Sequence, residues 1–236
     1  MSYIEPNTWK EKAERIFALA DRLLELKKIK GYSDIDARGA ALTNCRSHCL
    51  YAGSILNIFC AAEEGRLDNE YFCNIIGLVK GSPVEIANII EKSTRLGFLV
   101  LFQFQIENLF GNLLHTLGEQ PRPGYYKLIS IFIESLSLMD SEEKIKFLYL
   151  PAQLRNSLHS NGIHHGYKGE CTTIEIGGFT FELIDGQKVS CAGWGHIVLA
   201  LNASLEILEE ILSSPKIETL KDPIRDQYVW ELEGIE

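Results

Sequence analysis

No stretch of the 236-residue sequence is long and apolar enough to suggest a membrane span. The most hydrophobic run, from Leu96 through Leu101 and onward, is broken by Gln103, Gln105, Glu107 and Asn108. The opening Met1-Ser2-Tyr3-Ile4-Glu5-Pro6 lacks the basic residues and apolar run that mark an export signal. An excess of basic charge is missing too. The formal net charge of −9 excludes a broad nucleic-acid-coating surface, though not a small basic cleft. Nucleophile elbow, Walker motif and kinase signature are all absent, as are internal repeats and low-complexity linkers. The expectation is a cytoplasmic protein without membrane association and without a cofactor.

What is present is ample material for a core. Hydrophobic residues make up 46% of the chain and charged ones 23%, an ordinary balance for a water-exposed fold. The six cysteines are scattered, at Cys45, Cys49, Cys60, Cys73, Cys171 and Cys191. Four fall in segments of helical pattern, so they read as reduced core thiols. Cys45 and Cys49 lie one helical turn apart, but His48 points elsewhere by one residue, and small buried thiols are the better reading.

Helical periodicity dominates. Residues 8–30 carry Trp9, Ile16, Phe17, Leu19, Ala20, Leu23, Leu24 and Leu26 at near-helical spacing, with Lys27, Lys28 and Lys30 before a stop at Gly31. Further helices are expected from Asp36 to Glu64, from Asn69 to Val79, and from Pro83, with Ser82 as its cap and Gly97 an open question as a break. Phe98 to Leu117 is the most apolar helix and must be largely buried. Pro121-Arg122-Pro123-Gly124 forces a turn, Tyr125 to Met139 makes the next helix, and Asp140-Ser141-Glu142-Glu143 has the form of a capping box. Pro151 either kinks the following helix or begins a new one.

Beyond Gly166 the texture changes. Thr172 to Ile176, Gly177-Gly178 and Phe179 to Ile184 read as a hairpin, followed by a third short strand from Gln187 to Cys191. Helix resumes from about Gly193 to Leu212 and Pro215 ends it. The fold class is therefore mainly α, a helical bundle with a small antiparallel β-hairpin or meander insertion. A composition shift near residues 80–96 suggests an N-terminal helical region (1–95), a bundle with the β insertion (96–214) and a C-terminal arm (215–236).

The candidate chemistry lies in Arg155-Asn156-Ser157-Leu158-His159. On a helix Arg155 and His159 leave the same face one turn apart, pairing a permanent cation with a group that titrates near neutrality. That combination suits phosphate chemistry; it equally suits a structural face in which Arg155 holds a carboxylate and His159 meets the helix dipole. Glu107, on an apolar helix, needs a partner, and Arg155 is the best-placed one. His159, His164, His165 and Cys171 fit no standard zinc spacing and read as a polar loop.

From Phe98 to His165 the chain resembles the HEPN superfamily of helical bundles. The likeness rests on Gln105-Ile106-Glu107-Asn108 in an apolar helix and on the later Arg155-Asn156…His159, with three residues between Arg155 and His159 where the family usually has four to six. The resemblance implies metal-independent RNA cleavage: attack of a ribose 2′-hydroxyl on the adjacent phosphate, leaving a cyclic phosphate end. Arg155 would stabilise the phosphate charge, His159 serve as general acid or base, Asn156 orient the ribose or phosphate, and Glu107 position Arg155. It further implies a homodimer with the site composed across the two-fold axis, and a place in a toxin or defence system. The competing expectation is a non-catalytic module in which the same faces build a helical dimer.

Overall fold

The computed structural model describes residues 5–67, 70, 83–120, 124–220 and 223–226. Among them are seven α-helices and one two-stranded sheet. These are α1 (Trp9–Lys30), α2 (Ala37–Glu63), α3 (Pro83–Thr116), α4 (Tyr125–Leu136), α5 (Ser141–His159), β1 (Thr172–Ile176), β2 (Phe179–Leu183), α6 (Trp194–Leu212) and α7 (Pro215–Glu218). Among the described residues no helix is long and apolar enough to cross a membrane. The helix expected from Asn69 to Val79 (Glu70 apart), the Ser82 cap and most of the turn at 121–123 fall outside the described residues.

The first helix forms as its sequence dictates. Thr8 accepts from the Glu11 amide while the Glu11 carboxylate accepts from the Thr8 amide, a reciprocal cap, and Gly31 closes the other end in the left-handed region. Ala13, Ile16, Leu19, Ala20, Leu23 and Leu26 turn inward. In sequence order α1 packs on α2, α2 on α3, α3 on α5, α5 on α6, and α6 returns to α1, with α4 laid against α3 and α5. One contiguous apolar core fills the ring, from Ile16 and Leu56 through Phe110 and Phe132 to Phe181 and Trp194. Helix α3 runs unbroken through Gly97, and so crosses the 95/96 boundary drawn from composition.

The hairpin forms as patterned. Gly177 and Gly178 both have positive φ, the requirement of the two-residue turn that matches strand twist, and Ile176 pairs with Phe179. The third strand does not form. Lys188 makes only an isolated bridge to Ile163, where the Val189 amide donates to the Gly162 carbonyl (2.7 Å) and the His164 amide to the Gln187 carbonyl (2.9 Å). This segment pins the loop after α5 instead of extending the sheet.

Three further expectations are corrected. Asp140 precedes α5 with φ 53° and ψ 39° and makes no side-chain cap, because a capping residue needs an extended backbone. The short connection from α4 sets that conformation, with Ser137 also left-handed. Pro151 does not start a new helix: α5 passes through it. The Phe147 carbonyl, which loses its amide partner to the proline ring, accepts from Ser204 Oγ of α6 at 3.0 Å. Pro215, likewise, opens the short α7 behind Ser214 and does not itself stop α6.

A buried ion pair ties the ends of the chain together. Asp36 and Arg38 are each 1% exposed. Asp36 Oδ1 accepts from the Arg38 amide (2.8 Å) and Arg38 Nε (2.9 Å), and Oδ2 from Arg38 Nη2 (2.8 Å) and the Ile224 amide (2.9 Å). Arg38 Nη1 donates to the Ile217 carbonyl, and the guanidinium lies 4.3 Å over the Tyr32 ring. Residues 223–226 are thus held to the start of α2. Asp226 extends the seam to α3, accepting from Asn108 at 2.7 Å and Asn112 at 3.3 Å.

Candidate functional site

Helix α5 carries the candidate residues on its last two turns. Arg155 is half-buried, whereas Asn156 and His159 are exposed. Arg155 Nε and Nη2 both donate to Asn156 Oδ1, at 3.1 and 3.0 Å. A guanidinium only donates, so the Asn156 amide must turn its oxygen to Arg155 and its NH2 outward. The pair therefore presents donors alone, the complement of a phosphate.

The expected ion pair between Arg155 and Glu107 does not form. Among the described residues no carboxylate lies within salt-bridge distance of Arg155. Both charges bear instead on Tyr125, at the start of α4. Burial pushes that phenol well above its ordinary value; Gln103 and the Arg155 charge pull it down, and Glu107 pushes it further up. Tyr125 thus stays protonated throughout the neutral range. Glu107 is half-buried on α3, and its charge is felt by Tyr125 without pairing with Arg155.

The guanidinium charge reaches two tyrosines, Tyr125 and Tyr149. Tyr149 stacks on Tyr125 with ring centroids 6.4 Å apart, and Tyr126 meets Tyr149 edge-on at 5.1 Å. Burial raises the Tyr149 phenol, and Arg155 lowers it again by its charge. Tyr149 and Asn156 are seven residues apart, two turns along one stripe of α5, so the Asn156 bond draws Arg155 toward the tyrosines. That spacing was readable in the sequence; the arrival of Tyr125 and Tyr126 from α4 was not. Gly124, the N-cap of α4, has no side chain to cap with, so the positive end of the helix dipole adds to the local potential.

A buried polar cluster on the inner side of α5 also escaped sequence reasoning. Ser157 Oγ donates its one proton to the Gln153 carbonyl (2.8 Å) and lies 3.2 Å from His164 Nδ1. It can only accept there, so Nδ1 carries the imidazole proton and Nε2 a bare lone pair. His164 is 2% exposed, and Nε2 has no hydrogen-bond partner. Gln153 Nε2 reaches Thr172 Oγ1 of β1 at 2.8 Å, joining the cluster to the hairpin. Burial holds the His164 pKa below its ordinary value, with Asp185 opposing and His165 reinforcing the shift.

The sign of the consequence follows. The unfolded chain takes up a proton on this histidine near its unperturbed pKa of about 6.5, whereas the folded chain resists it to lower pH. The stabilising contribution is complete above that value and is lost as pH falls through it toward the folded pKa. Thermal melts at about pH 7.5 and about pH 5 should show a larger fall in Tm for the native chain than for His164→Gln, which stays neutral. His48 and His196 are lowered by burial as well, so the comparison rests on the difference between the two chains. Equal falls would exclude His164 as a source of the acid sensitivity.

Among the described residues no group of three His, Cys, Asp or Glu side chains is placed to hold a metal ion. Cys45 and Cys49 are buried, and burial lifts the Cys49 thiol to about 12, which leaves it protonated and inert. A concavity of about 590 Å³ lies toward the other end of α5 between Asp140, Glu142, Glu143, Lys146 and Glu175. Arg155 is at least about 12 Å from its lining along the helix axis at 1.5 Å per residue. Neither Arg155, Asn156 nor His159 lines it, and Asn156 and His159 lie in the open.

No protein-family model matches the sequence, and no curated protein or solved structure is similar to it.

Proposed function

We propose that this chain acts on RNA through the Arg155–Asn156–His159 face of α5, as the metal-independent endoribonuclease that the HEPN resemblance implies. One observation carries the reading: Arg155 is gripped by the Asn156 amide oxygen and not by a carboxylate, so its positive charge is uncompensated and ready for a phosphate. An open face suits a polymer better than a metabolite. In the reaction the ribose 2′-oxygen bonds to phosphorus as the bond to the 5′-oxygen breaks. Arg155 and the Asn156 NH2 would meet the charge gathering on the non-bridging oxygens, and His159 would carry one of the two protons transferred. The test is cleavage of RNA in the presence of a chelator by the native chain, Arg155→Ala and His159→Ala. Equal activity in all three ends the assignment.

A second reading, a dimerisation module, is favoured by the outer side of α3. Leu101 and Phe104 are exposed there, Phe104 by 61%, on the helix that also carries Glu107. Burying such side chains against a second copy would recover apolar area otherwise left in water. Sedimentation equilibrium should find a dimer that Phe104→Glu converts to monomer. A native chain that is monomeric at every concentration would remove this reading.

A further inference from the structure

We infer that Tyr126 and Tyr149 form a stacking platform for the nucleobase next to the phosphate held at Arg155, so that the RNA engaged is single-stranded. The inference rests on the proposed RNA-directed function and adds a substrate class to it.

Tyr126 is 52% exposed although it begins a helix whose other aromatic residues, Tyr125 and Phe132, are buried. Its ring is held edge-on by Tyr149, which is itself fixed by stacking on buried Tyr125. An exposed aromatic ring held in place by two others loses little freedom on accepting a further flat group. Tyr149 and Asn156 lie two turns apart on one stripe of α5, and Asn156 holds Arg155, so the rings and the phosphate-binding donors belong to one surface; the Arg155 charge acts on Tyr149 accordingly. A planar apolar group beside a cation matches a nucleotide, with its base on the ring and its phosphate on the guanidinium. A base in a duplex has both faces stacked and offers none to a tyrosine; only an unpaired nucleotide can use both halves of this surface.

The experiment uses a short single-stranded RNA carrying 2-aminopurine, whose fluorescence is quenched by stacking, with anisotropy of an end label reporting binding separately. The native chain should bind and quench. Tyr126→Ala should weaken binding about 5- to 150-fold, the range for losing one base–aromatic stack, and abolish the quenching. Tyr126→Phe should retain both, and a duplex of the same sequence should bind more weakly than the single strand. The side chain is half in solvent, so the variants should fold, which circular dichroism would verify. If Tyr126→Ala binds and quenches like the native chain while Arg155→Ala loses binding, the platform is wrong and the RNA-directed function stands. If the native chain binds neither strand form, that function fails and the platform with it.

Discussion

Replacing Asp36 with alanine is expected to destabilise the protein by about 3–5 kcal/mol, the cost of stranding one member of a buried ion pair. That is a large fraction of the roughly 5–15 kcal/mol by which proteins of this size are stable. The carboxylate accepts four hydrogen bonds, and all four donors are left behind. Arg38 would remain charged after losing its carboxylate, with the Ile217 carbonyl and the Tyr32 ring still beside it. The N-cap of α2 is lost at the same stroke, a contribution of about 1 kcal/mol by itself. Arg38→Met should cost less than Asp36→Ala, because the stranded Asp36 keeps two backbone amides at a helix N-terminus. The double variant Asp36→Ala, Arg38→Met should be more stable than Asp36→Ala alone, since no unpaired charge remains. Urea unfolding of the three variants measures all of this. An Asp36→Ala chain within about 1 kcal/mol of the native one would show that water reaches Arg38 and that the pair is not sealed.

Arg155→Ala should lower the chelator-resistant cleavage of RNA by about 10²–10³-fold, the usual loss when one donor to a developing oxyanion is removed. For His159→Ala the loss should reach about 10²–10⁴-fold, the range for a proton-transfer group. Arg155→Lys is the more telling change. The Asn156 oxygen holds Nε and Nη2 together, a grip that a lysine ammonium on its flexible stem cannot reproduce. Lysine should therefore recover little of the lost rate even though the charge is restored. Asn156→Ala should act through Arg155, by releasing it. The product ends give a check independent of rate: transfer to the 2′-oxygen leaves a 2′,3′-cyclic phosphate on one fragment and a free 5′-hydroxyl on the other. Fragments ending in a 3′-hydroxyl would mean hydrolysis by another route, and these residues would lose their roles.

Much of the architecture was legible because it is written in short-range patterns. The span of α1, its Gly31 cap and the diglycine turn each depend on a few adjacent residues. What failed was local grammar overruled from a distance. Asp140 through Glu143 spell a capping box, but the tight link from α4 puts Asp140 in the left-handed region. Gln187 to Cys191 alternate like a strand, yet the one bridge they make among the described residues is an isolated one to Ile163. At the candidate site, spacing correctly put Arg155, Asn156 and His159 along one stretch of helix. It could not foresee that Arg155 would be held by Asn156 and not by Glu107, because that depends on how α3 and α5 dock. The Asp36–Arg38 pair was invisible for the same reason: two residues apart, it gains its meaning from Ile224, 188 positions away.

Pro151 leaves one more trace. Its ring nitrogen carries no hydrogen, so α5 shows an unspent acceptor at a single height, and Ser204 answers it. Leucine ridges in leucine grooves are tolerant of sliding, because one ridge fits the next groove nearly as well. A single directed bond is not tolerant. The proline works as a registration mark between the two helices, fixing how far α5 is threaded through the bundle. Arg155 sits one turn beyond that mark, so the height at which its donors emerge from the bundle is set by a proline four residues before it.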